Sequence, residues 1–437
     1  MVEVLTVISS SMVRPKNIVQ SGRTKIHLTP HDLDLLYLVY PQRGLLFLTP
    51  DPETRIIPRL KASLSTALEI HFPFAGRLVK VDNHGDNTVS FHIDCDGSGA
   101  KFIHAKAESV SVNDLLQCNG SVPDFITHFF PANNVESRDA LISEPLLALQ
   151  VTEMKDGVFI SFGYNHMVAD GSSLWSFFHT WSKICLNGSR SNSDKLVVLK
   201  DWFLDGIDYP VHVPVSEMET PPPSRKVSTK ERVFHFSKNQ ISYLKSKAND
   251  EIGSSDLKIS CLQAVVAYLW LSIMRHSGLN REEETQCKVA ADMKLRLDPP
   301  LEKECFGNVT QLAVATSTVG ELLDHGLGWT ALQISKTVKS QTNESYKTFA
   351  QNWVKNVKIP KIGVGSRLAD NSLIVASSPL FEVYDHDFGW GKPIAARAGP
   401  GNGTGGLLVM FRGVEEGSID VHVALNSSLW SDVLMNL

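Results

Sequence analysis

The sequence predicts an α/β protein built from two halves, and three observations support this prediction. The chain has 437 residues, which is long for a single hydrophobic core. Runs with the helical spacing of apolar residues occur together with strand-like runs in both halves. The segment 187–229 differs from its surroundings, because it is rich in Ser, Pro and charge. We therefore expect an N-terminal domain over 1–186, a crossover linker over 187–229 and a C-terminal domain over 230–437.

The first half contains two helical patterns and several strand-like runs. Apolar residues at 57, 60, 64 and 68 have helical spacing, which predicts a helix within 53–70. A second helical pattern covers 172–185, and Ser172 or Ser173 is expected to be its N-cap. The strand-like runs are 87–95, 145–154 and 157–166. The last two flank Lys-Asp-Gly, which is typical of a hairpin turn.

The crossover lacks helical patterns, whereas the second half again contains helical and strand-like patterns. Residues 221–223 are three prolines, which exclude a helix and favour an extended polyproline conformation. Beyond them, helical patterns lie near 262–276 and 328–340. The strand-like runs of this half are "CKVAAD", "GLLVMFR" and "SIDVHVAL". Both halves are therefore expected to combine helices with strands.

The composition argues against several classes of protein. The formal net charge is −5 and no cluster of Lys and Arg with interleaved aromatic residues appears, so nucleic acid is not expected as a partner. The longest apolar stretch, 261–274, is too short to span a bilayer, and the N-terminus does not resemble a signal peptide. The six cysteines are scattered without a C-x-x-C pair. We expect a cytoplasmic protein with reduced thiols and no membrane association.

Two stretches fit the pattern H-x-x-x-D-G, at His92 and at His166. His92 lies within an alternating run, on what we expect to be the solvated face of a strand, which favours a structural role. His166 ends a strand and precedes a helix, where ligand-binding side chains often gather, and an imidazole can act as a base at neutral pH. The residues alone leave open whether His166 is a base or a structural histidine. No HExxH motif or cysteine cluster accompanies it, so a metal site is not expected. The absence of a G-x-S-x-G motif argues against a serine-hydrolase triad.

A second motif, "DFGWG" at 387–391, combines with the H-x-x-x-D of 166–170. Together they resemble the plant BAHD family of acyl-CoA-dependent acyltransferases, which these two motifs define. The stretches "HFPFAGRL", "FHIDCDGSGAKFIHAKAE" and "ADMKLRLDPPLEKECFGN" resemble further family segments in the same order. The resemblance implies two chloramphenicol-acetyltransferase-like domains with an active-site tunnel at their interface. CoA would enter this tunnel from one face and the acceptor from the other.

The resemblance also implies roles for the residues of the first motif. His166 would be the general base that removes a proton from the acceptor. Asp170 would turn away from His166 and pair with an Arg of the family's D-x-R-x-R segment. In this chain the candidates are Arg296 and Lys294, which stands at the first Arg position. Lys cannot form the planar bidentate contact that Arg forms with a carboxylate.

The second motif is expected to have a structural role. In the family it lies away from the chemistry and shapes the CoA channel, which assigns Asp387, Gly389 and Trp390 to the architecture of the site. Many members carry a T-x-W tripeptide before this motif, and a gapless alignment places Ser377 and Ser378 at its last two positions. The indole is therefore absent. Either serine is a candidate oxyanion donor, or the two leave a wider pocket.

These observations predict acyl transfer from an acyl-CoA to a hydroxyl or amine of a small plant specialised metabolite. Acyl-CoA would be a co-substrate, and no permanently bound cofactor or metal is expected in this monomer. The alternatives are lyase-like chemistry or binding of acyl-CoA or a metabolite without turnover on the same fold. Acetyl, malonyl, benzoyl and hydroxycinnamoyl donors all remain open. Arg397 and Arg412 are the candidate cations for a donor with a free carboxylate.

Overall fold

The structure is a computed structural model, and it describes most of the chain. The described residues are 4–17, 25–51, 53–116, 120–133, 142–191, 196–197, 204, 206–219, 229–253, 257–302, 305–360, 371–400, 405–427 and 430. The prolines at 221–223 and other parts of the crossover predicted over 187–229 lie outside these residues.

The helices of the described residues are spread over both halves. They are α1 (Pro30–Leu33), α2 (Ile56–Ile70), α3 (Val112–Leu116), α4 (Gly171–Asn187), α5 (Lys238–Ile252), α6 (Cys261–Arg275), α7 (Val319–Lys339) and α8 (Asn343–Lys355). Four 3₁₀ segments are also described, at Phe72–Ala75, Asp124–Phe129, Val215–Met218 and Val383–Asp385.

The strands likewise come from both halves. Those before the crossover are β1 (Thr6–Val13), β2 (Lys25–His27), β3 (Gln42–Leu48), β4 (Arg77–Asn83), β5 (Thr88–Asp94), β6 (Ala100–Ala107), β7 (Leu147–Met154) and β8 (Gly157–Tyr164). Those within or after it are β9 (Val213–Pro214), β10 (Thr229–Phe236), β11 (Glu284–Asp292), β12 (Thr310–Thr318), β13 (Ser372–Ala376), β14 (Ala395–Ala398), β15 (Leu407–Arg412) and β16 (Ile419–Asn426).

These strands form two large sheets and one small one. The first sheet has the order β1-β6-β7-β8-β3-β14, and the second has the order β10-β16-β15-β13-β11-β12. The small sheet has the order β2-β5-β4, with β9 also paired to β5. Strand β14 follows β13 in the chain but lies in the other sheet, where Ala398 pairs with Arg43 of β3. Because β14 forms the edge of the first sheet, the two halves share that sheet. The division into 1–186, 187–229 and 230–437 stays a prediction.

Each large sheet is covered by helices whose apolar faces the sequence pattern predicts. On the first sheet, the fully buried Trp181 of α4 donates its indole N–H to the backbone oxygen of Leu60 on α2, at 3.1 Å. On the second sheet, the fully buried Trp270 of α6 donates to the hydroxyl of Thr285 on β11, at 2.9 Å. Tryptophan is well suited to this position, because it fills a large volume while its single donor is satisfied.

Most predicted elements of the first half are confirmed, with one difference at a helix start. The hairpin forms between β7 and β8, and the helical patterns give α2 and α4. The N-cap of α4 is Asp170 instead of Ser172 or Ser173, so that prediction was wrong. The carboxylate of Asp170 accepts from the backbone N–H of Ser173 at 2.8 Å, and Gly171 is already helical. Asp and Ser are about equally favourable as N-caps, and Asp170 lies upstream of both serines.

In the second half, the predicted helix near 328–340 is part of a longer element. Helix α7 begins at Val319 and is interrupted at Gly326, whose φ of 78° and ψ of −163° are not helical. The predicted helix near 262–276 corresponds to α6, and the three predicted strands correspond to β11, β15 and β16. Within the described residues, no helix is both long and apolar enough to cross a membrane.

His92 lies on β5 as predicted, but not on a solvated face. Its side chain is buried, with 9% of its surface exposed, beside Val89, Phe91 and Ile93 of the same strand. Strand β5 is central in the small sheet, and every residue from Val89 to Ile93 is buried. The alternation of polar and apolar residues predicts a solvated face only where nothing covers that face, and here both faces are covered.

The packing on β3 gives a test of the first sheet. A Cβ at Gly44 would come within 2.2 Å of the ring of Phe159 on β8, and that ring is fully buried. We expect Gly44→Ala to lower the free energy of unfolding by about 1–3 kcal/mol, because the ring cannot move aside without disturbing its neighbours. Urea unfolding followed by circular dichroism would measure the change.

Gly85→Ala is the matched control for this substitution. Nothing lies within 4 Å of a Cβ at Gly85. Its stability should stay within about 0.5 kcal/mol of the parent, as for an ordinary surface substitution. Equal stabilities for the two variants would show that Gly44 is not required by the packing of β3 against β8.

Candidate active site

The sequence around His166 forms a tight connection between β8 and α4. The amide oxygen of Asn165 accepts from the backbone N–H of Met167 at 3.0 Å, and Val168 N–H donates to the backbone oxygen of Asn165 at 3.2 Å. Asp170 then caps α4. In the whole stretch 157–170, His166 is the one residue that is not buried. The turn thus holds its neighbours in the core and leaves an imidazole accessible.

Asn308 determines which nitrogen of that imidazole carries the hydrogen. Its Nδ2 donates to the backbone oxygen of His166 and to Oδ1 of Asp32, the latter at 3.2 Å. Two acceptors therefore surround Nδ2, which orients Oδ1 of the amide toward Nδ1 of His166 at 3.2 Å. A carbonyl oxygen can only accept, so Nδ1 carries the hydrogen and Nε2 has a free lone pair. This tautomer is the one that can accept a proton at Nε2.

The surroundings also keep the imidazole neutral. Burial lowers the pKa of His166 below its ordinary value of 6.5, since a charged imidazolium loses hydration there. The contact of the ring with its own backbone, the charge of Asp170 and the hydrogen bond to Asn308 raise the pKa, but they are weaker than the effect of burial. Burial raises the pKa of Asp32 to about 6, against the hydrogen bonds from Thr29 and Asn308. At neutral pH, His166 is therefore neutral and Asp32 is mostly ionised.

Asp170 is fully buried, and its carboxylate contacts the start of α4 and the second half of the chain. Its Oδ1 accepts from the Ser173 backbone N–H at 2.8 Å and from the Ser172 hydroxyl at 2.9 Å. Its Oδ2 accepts from the Val309 backbone N–H at 3.2 Å and lies 3.5 Å from Nζ of Lys294. This carboxylate therefore joins the start of α4 to two segments of the second half.

The cation beside Asp170 is Lys294, and the candidate Arg296 lies elsewhere. Lys294 is buried and donates from Nζ to the Ser172 hydroxyl at 2.8 Å. Arg296 is exposed, and its Nη1 donates to the backbone oxygens of Val338 and Gln341 at 2.6 and 3.0 Å. These carbonyls lie at and just beyond the C-terminus of α7, where a cation is favourable. The prediction of Arg296 at the site is corrected for this reason.

The motif at 387–391 forms a turn that its own residues stabilise. Oδ1 of Asp387 accepts from the backbone N–H groups of Gly389 and Gly391, at 2.7 and 3.0 Å. Gly389 has a φ of 104°, and a Cβ there would lie 2.5 Å from Nη2 of Arg59. That Nη2 donates to the backbone oxygen of Phe388 at 3.2 Å. A side chain at 389 would therefore displace the guanidinium that holds the turn.

The aromatic residues of this motif pack on α2 and α4. Phe388 is fully buried with its ring centroid 4.8 Å from that of Trp181. The ring of Trp390 stacks at 5.7 Å on Phe388, and Arg59 of α2 lies 6.0 Å from the Trp390 ring centroid. Their contacts fasten the segment to two helices of the first half.

Ser377 and Ser378 follow β13 in a loop that reaches the start of α4. Ser377 has a φ of 69°, in the left-handed region that non-glycine residues seldom occupy and that recurs at functional sites. The Ser378 hydroxyl oxygen accepts from the Leu380 backbone N–H at 3.2 Å. The loop meets α4 at Phe381, because a Cβ added at Gly171 would lie 3.3 Å from the Phe381 ring. Within the described residues, the Ser377 hydroxyl makes no hydrogen bond.

The sequence reasoning did not identify Asn308 or Asp32. Asn308 ends the quoted "CFGN" segment, but 142 positions separate it from His166, so no local pattern links them. Asp32 has a local signal, because Thr29 and Asp32 form a capping box at the start of α1. Its contact with Asn308, however, depends on the tertiary fold. Within the part of the chain that the structure describes, no group of three or more His, Cys, Asp or Glu side chains could hold a metal.

Comparison with known proteins relates this geometry to a family. A profile described as the Transferase family matches residues 3–432. An Arabidopsis thaliana protein described as an uncharacterized acetyltransferase is 64% identical over 435 residues, which cover 99% of this chain and 97% of that protein. The BAHD acyltransferase DCR of Arabidopsis thaliana is 31% identical over 444 residues, with 97% and 90% of the two chains covered.

The fold is shared with solved structures. The F. sporotrichioides TRI101 structure, which contains coenzyme A and T-2, has a TM-score of 0.75 at 19% identity and covers 95% of this chain and 97% of its own. This similarity confirms the predicted α/β fold class of two chloramphenicol-acetyltransferase-like domains. Because the family profile spans nearly the whole sequence and a BAHD acyltransferase is a relative over 97% of it, the chain belongs to the BAHD family of acyl-CoA-dependent acyltransferases.

Proposed function

We propose that the protein transfers an acyl group from an acyl-CoA thioester to a hydroxyl or amine of a small plant metabolite, with His166 as the general base. The observation that carries this proposal is the accessible imidazole whose Nε2 lone pair is left free by the contact between Nδ1 and Asn308. Acyl-CoA is the co-substrate, which the coenzyme A in the TRI101 structure supports. The similarity to a protein described as an acetyltransferase makes acetyl-CoA the first donor to test.

The reaction follows from the position of the free lone pair. Nε2 of His166 takes the proton from the acceptor as its oxygen or nitrogen attacks the thioester carbonyl carbon. The tetrahedral oxyanion then collapses, the carbon–sulfur bond breaks, and the CoA thiolate recovers the proton from the imidazolium. The acceptor is itself the nucleophile, so no acyl-enzyme forms. General-base catalysis of this kind contributes on the order of 10²–10⁴-fold to the rate.

Other residues would support this step without exchanging protons with the substrate. Asn308 orients the imidazole, and Asp170 with Lys294 holds the loop that carries it. Asp387, Gly389 and Trp390 maintain the segment that would border the CoA channel. The hydroxyl of Ser377 is the candidate donor to the oxyanion, because its backbone strain and its lack of a hydrogen bond in the described residues are typical of functional positions. Ser378 would contribute space more than a hydrogen bond.

The proposal extends to the architecture and location of the enzyme. The site would lie in a tunnel between a domain over 1–186 and a domain over 230–437. The protein would be a cytoplasmic monomer. Lyase-like chemistry and binding without turnover are the outcomes that would replace acyl transfer, and they are distinguished by whether an acylated acceptor and free CoA appear in equal amounts.

The first test is the removal of the base. We expect His166→Ala to lower kcat by roughly 10²–10⁴-fold, because no other group would take the acceptor proton. CoA release from several acyl-CoA donors with a plant extract, followed by purification of the acceptor, would supply the assay. His92→Ala is the control, since His92 heads the other H-x-x-x-D-G stretch and lies in β5. Per folded molecule it should keep the parent's rate, and turnover within about tenfold of the parent in His166→Ala would exclude His166 as the base.

The second test is the pH dependence. A general base must be unprotonated, so kcat/KM falls on acidification through the pKa of the free enzyme's base. Burial lowers the pKa of His166, so this acid limb should lie below pH 6.5. Asn308→Ala should lower kcat with little change in KM, because the ring loses its orientation while the substrate contacts remain. An acid limb at or above pH 7, or an unchanged kcat in Asn308→Ala, would contradict the proposed roles.

The third test separates the structural role of Asp170 from catalysis. Asp170→Asn and Lys294→Met should each lower the free energy of unfolding by about 3–5 kcal/mol, because each leaves a buried partner uncompensated. The double variant should recover part of this loss, since neither buried charge then remains. Arg296→Ala is the matched control and should cost no more than about 1 kcal/mol, as for an exposed cation at a helix end. A parental melting temperature with no turnover in Asp170→Asn would instead assign Asp170 a direct part in the chemistry.

A further inference from the structure

Arg43 is a cation near the candidate base that no described carboxylate neutralises. It lies on β3 between β8 and β14, where it pairs with Phe162 and Ala398. Its Nη1 donates to the backbone oxygen of Gln42 at 2.7 Å, and its Cζ lies 6.0 Å from the ring centroid of Phe411. No Asp or Glu of the described residues forms an ion pair with it. The Nε and Nη2 edge of the guanidinium is left without a hydrogen bond in this part of the structure.

Arg43 keeps its positive charge at neutral pH, and it lies on the strand next to β8, which leads to His166. Burial lowers the pKa of Arg43 to about 10, and only the Tyr164 phenol opposes this. Strand β8 continues from Phe162, the partner of Arg43, to Tyr164, whose ring centroid lies 5.4 Å from that of His166. Arg43 as a whole residue is half-buried, so it keeps partial contact with solvent. A poorly hydrated cation without a counter-ion is costly unless an anion arrives to pair with it.

A second unsatisfied donor lies beside Arg43. Nδ1 of His422 accepts from the backbone N–H of Ala398 at 3.4 Å, so its Nε2 carries the hydrogen. That Nε2 is buried without a hydrogen-bond partner in the described residues. The His422 ring lies 5.4 Å from the ring of Phe411, which Arg43 also contacts. Both donors therefore adjoin the same ring, and both offer a hydrogen bond to an acceptor.

Arg397 and Arg412, which the sequence suggested as cations for a substrate carboxylate, form other contacts in the structure. Arg397 donates from Nε and Nη2 to the backbone oxygen of Leu115, at 3.2 and 2.6 Å. Arg412 forms an ion pair with Glu382. Arg43 was not predicted, because a single Arg in an apolar strand gives no sign of lacking a counter-ion until its neighbours are known.

We propose that Arg43, assisted by the Nε2–H of His422, binds a carboxylate of the substrate and so selects substrates that carry this charge close to the reacting carbonyl. The proposal rests on the acyl transfer proposed above. A guanidinium edge with two parallel N–H groups matches the two oxygens of a carboxylate. A phosphate of CoA is not the partner, because the pantetheine chain separates it from the thioester. The carboxylate can belong to the acyl group, as in malonyl-CoA, or to the acceptor.

Calorimetric binding to the full-length protein tests this without requiring turnover. The probes are malonyl-CoA beside acetyl-CoA, and hydroxybenzoate and aminobenzoate beside their methyl esters in the presence of CoA. We expect the parent to prefer the charged member of at least one pair by about 10- to 100-fold, as for a charge-assisted hydrogen bond. Arg43→Gln should abolish this preference and bind acetyl-CoA as the parent does, while Arg43→Lys should retain part of it. The pair that shows the preference identifies whether donor or acceptor carries the carboxylate.

Arg412→Gln is the matched control, and it should leave every preference unchanged. Equal affinities within about threefold in all pairs, or a preference that survives in Arg43→Gln, would overturn the proposal. CoA release is measured in parallel on the same proteins. Absence of release with an intact charge preference would refute the proposed acyl transfer and leave the anion site standing, so the two failures are distinguishable.

Discussion

The site depends on how the chain satisfies one buried carboxylate, that of Asp170. A carboxylate without exposed surface is costly unless hydrogen bonds and a cation compensate it. Ser172 and Ser173 supply two of its hydrogen bonds from α4, while Val309 and Lys294 come from the second half. The first half therefore cannot satisfy Asp170 alone. This requirement brings the segment 307–309 against the turn that carries His166, and the candidate active site forms only where the two halves meet.

Docking of that segment has a second consequence, because Asn308 lies directly beside Val309. The same backbone that satisfies Asp170 positions the amide that faces Nδ1 of His166. Oδ1 of Asp32 accepts a hydrogen bond from Nδ2 of the Asn308 amide, which prevents the amide from rotating by half a turn and exchanging its oxygen and nitrogen. The group that orients the imidazole is thus an amide and not the aspartate of the motif. A neutral partner stabilises the imidazolium less than a carboxylate would, which would suit the proposed base, since it would have to return its proton to the thiolate within each cycle.

The sequence could predict the parts of the fold that depend on short-range periodicity, including α2, α4 and the β7–β8 hairpin. It could not decide features that depend on what covers a residue or on which way a turn faces. His92 has the polar spacing of a solvated strand and is nevertheless buried, because β5 is covered on both faces. Lys294 and Arg296 are two positions apart, and only the path of the chain after β11 decides that Lys294 turns inward. Asn308 has no local signal, since its role arises across 142 positions.

The proposed anion site and the base are coupled through electrostatics. The charge of Arg43 is the smallest of the influences on the pKa of His166, and it opposes the protonation that the proposed base would undergo as the acceptor attacks. A substrate carboxylate paired with Arg43 would cancel that opposition. It would stabilise the imidazolium at the moment when the transition state requires it, and a neutral substrate in the same pocket would not. Interactions that strengthen in the transition state raise kcat, whereas uniform binding lowers only KM. Arg43 would then select its substrate by the rate of transfer as well as by affinity. A substrate without a carboxylate would leave the Arg43 charge unpaired, and its transfer would be slower.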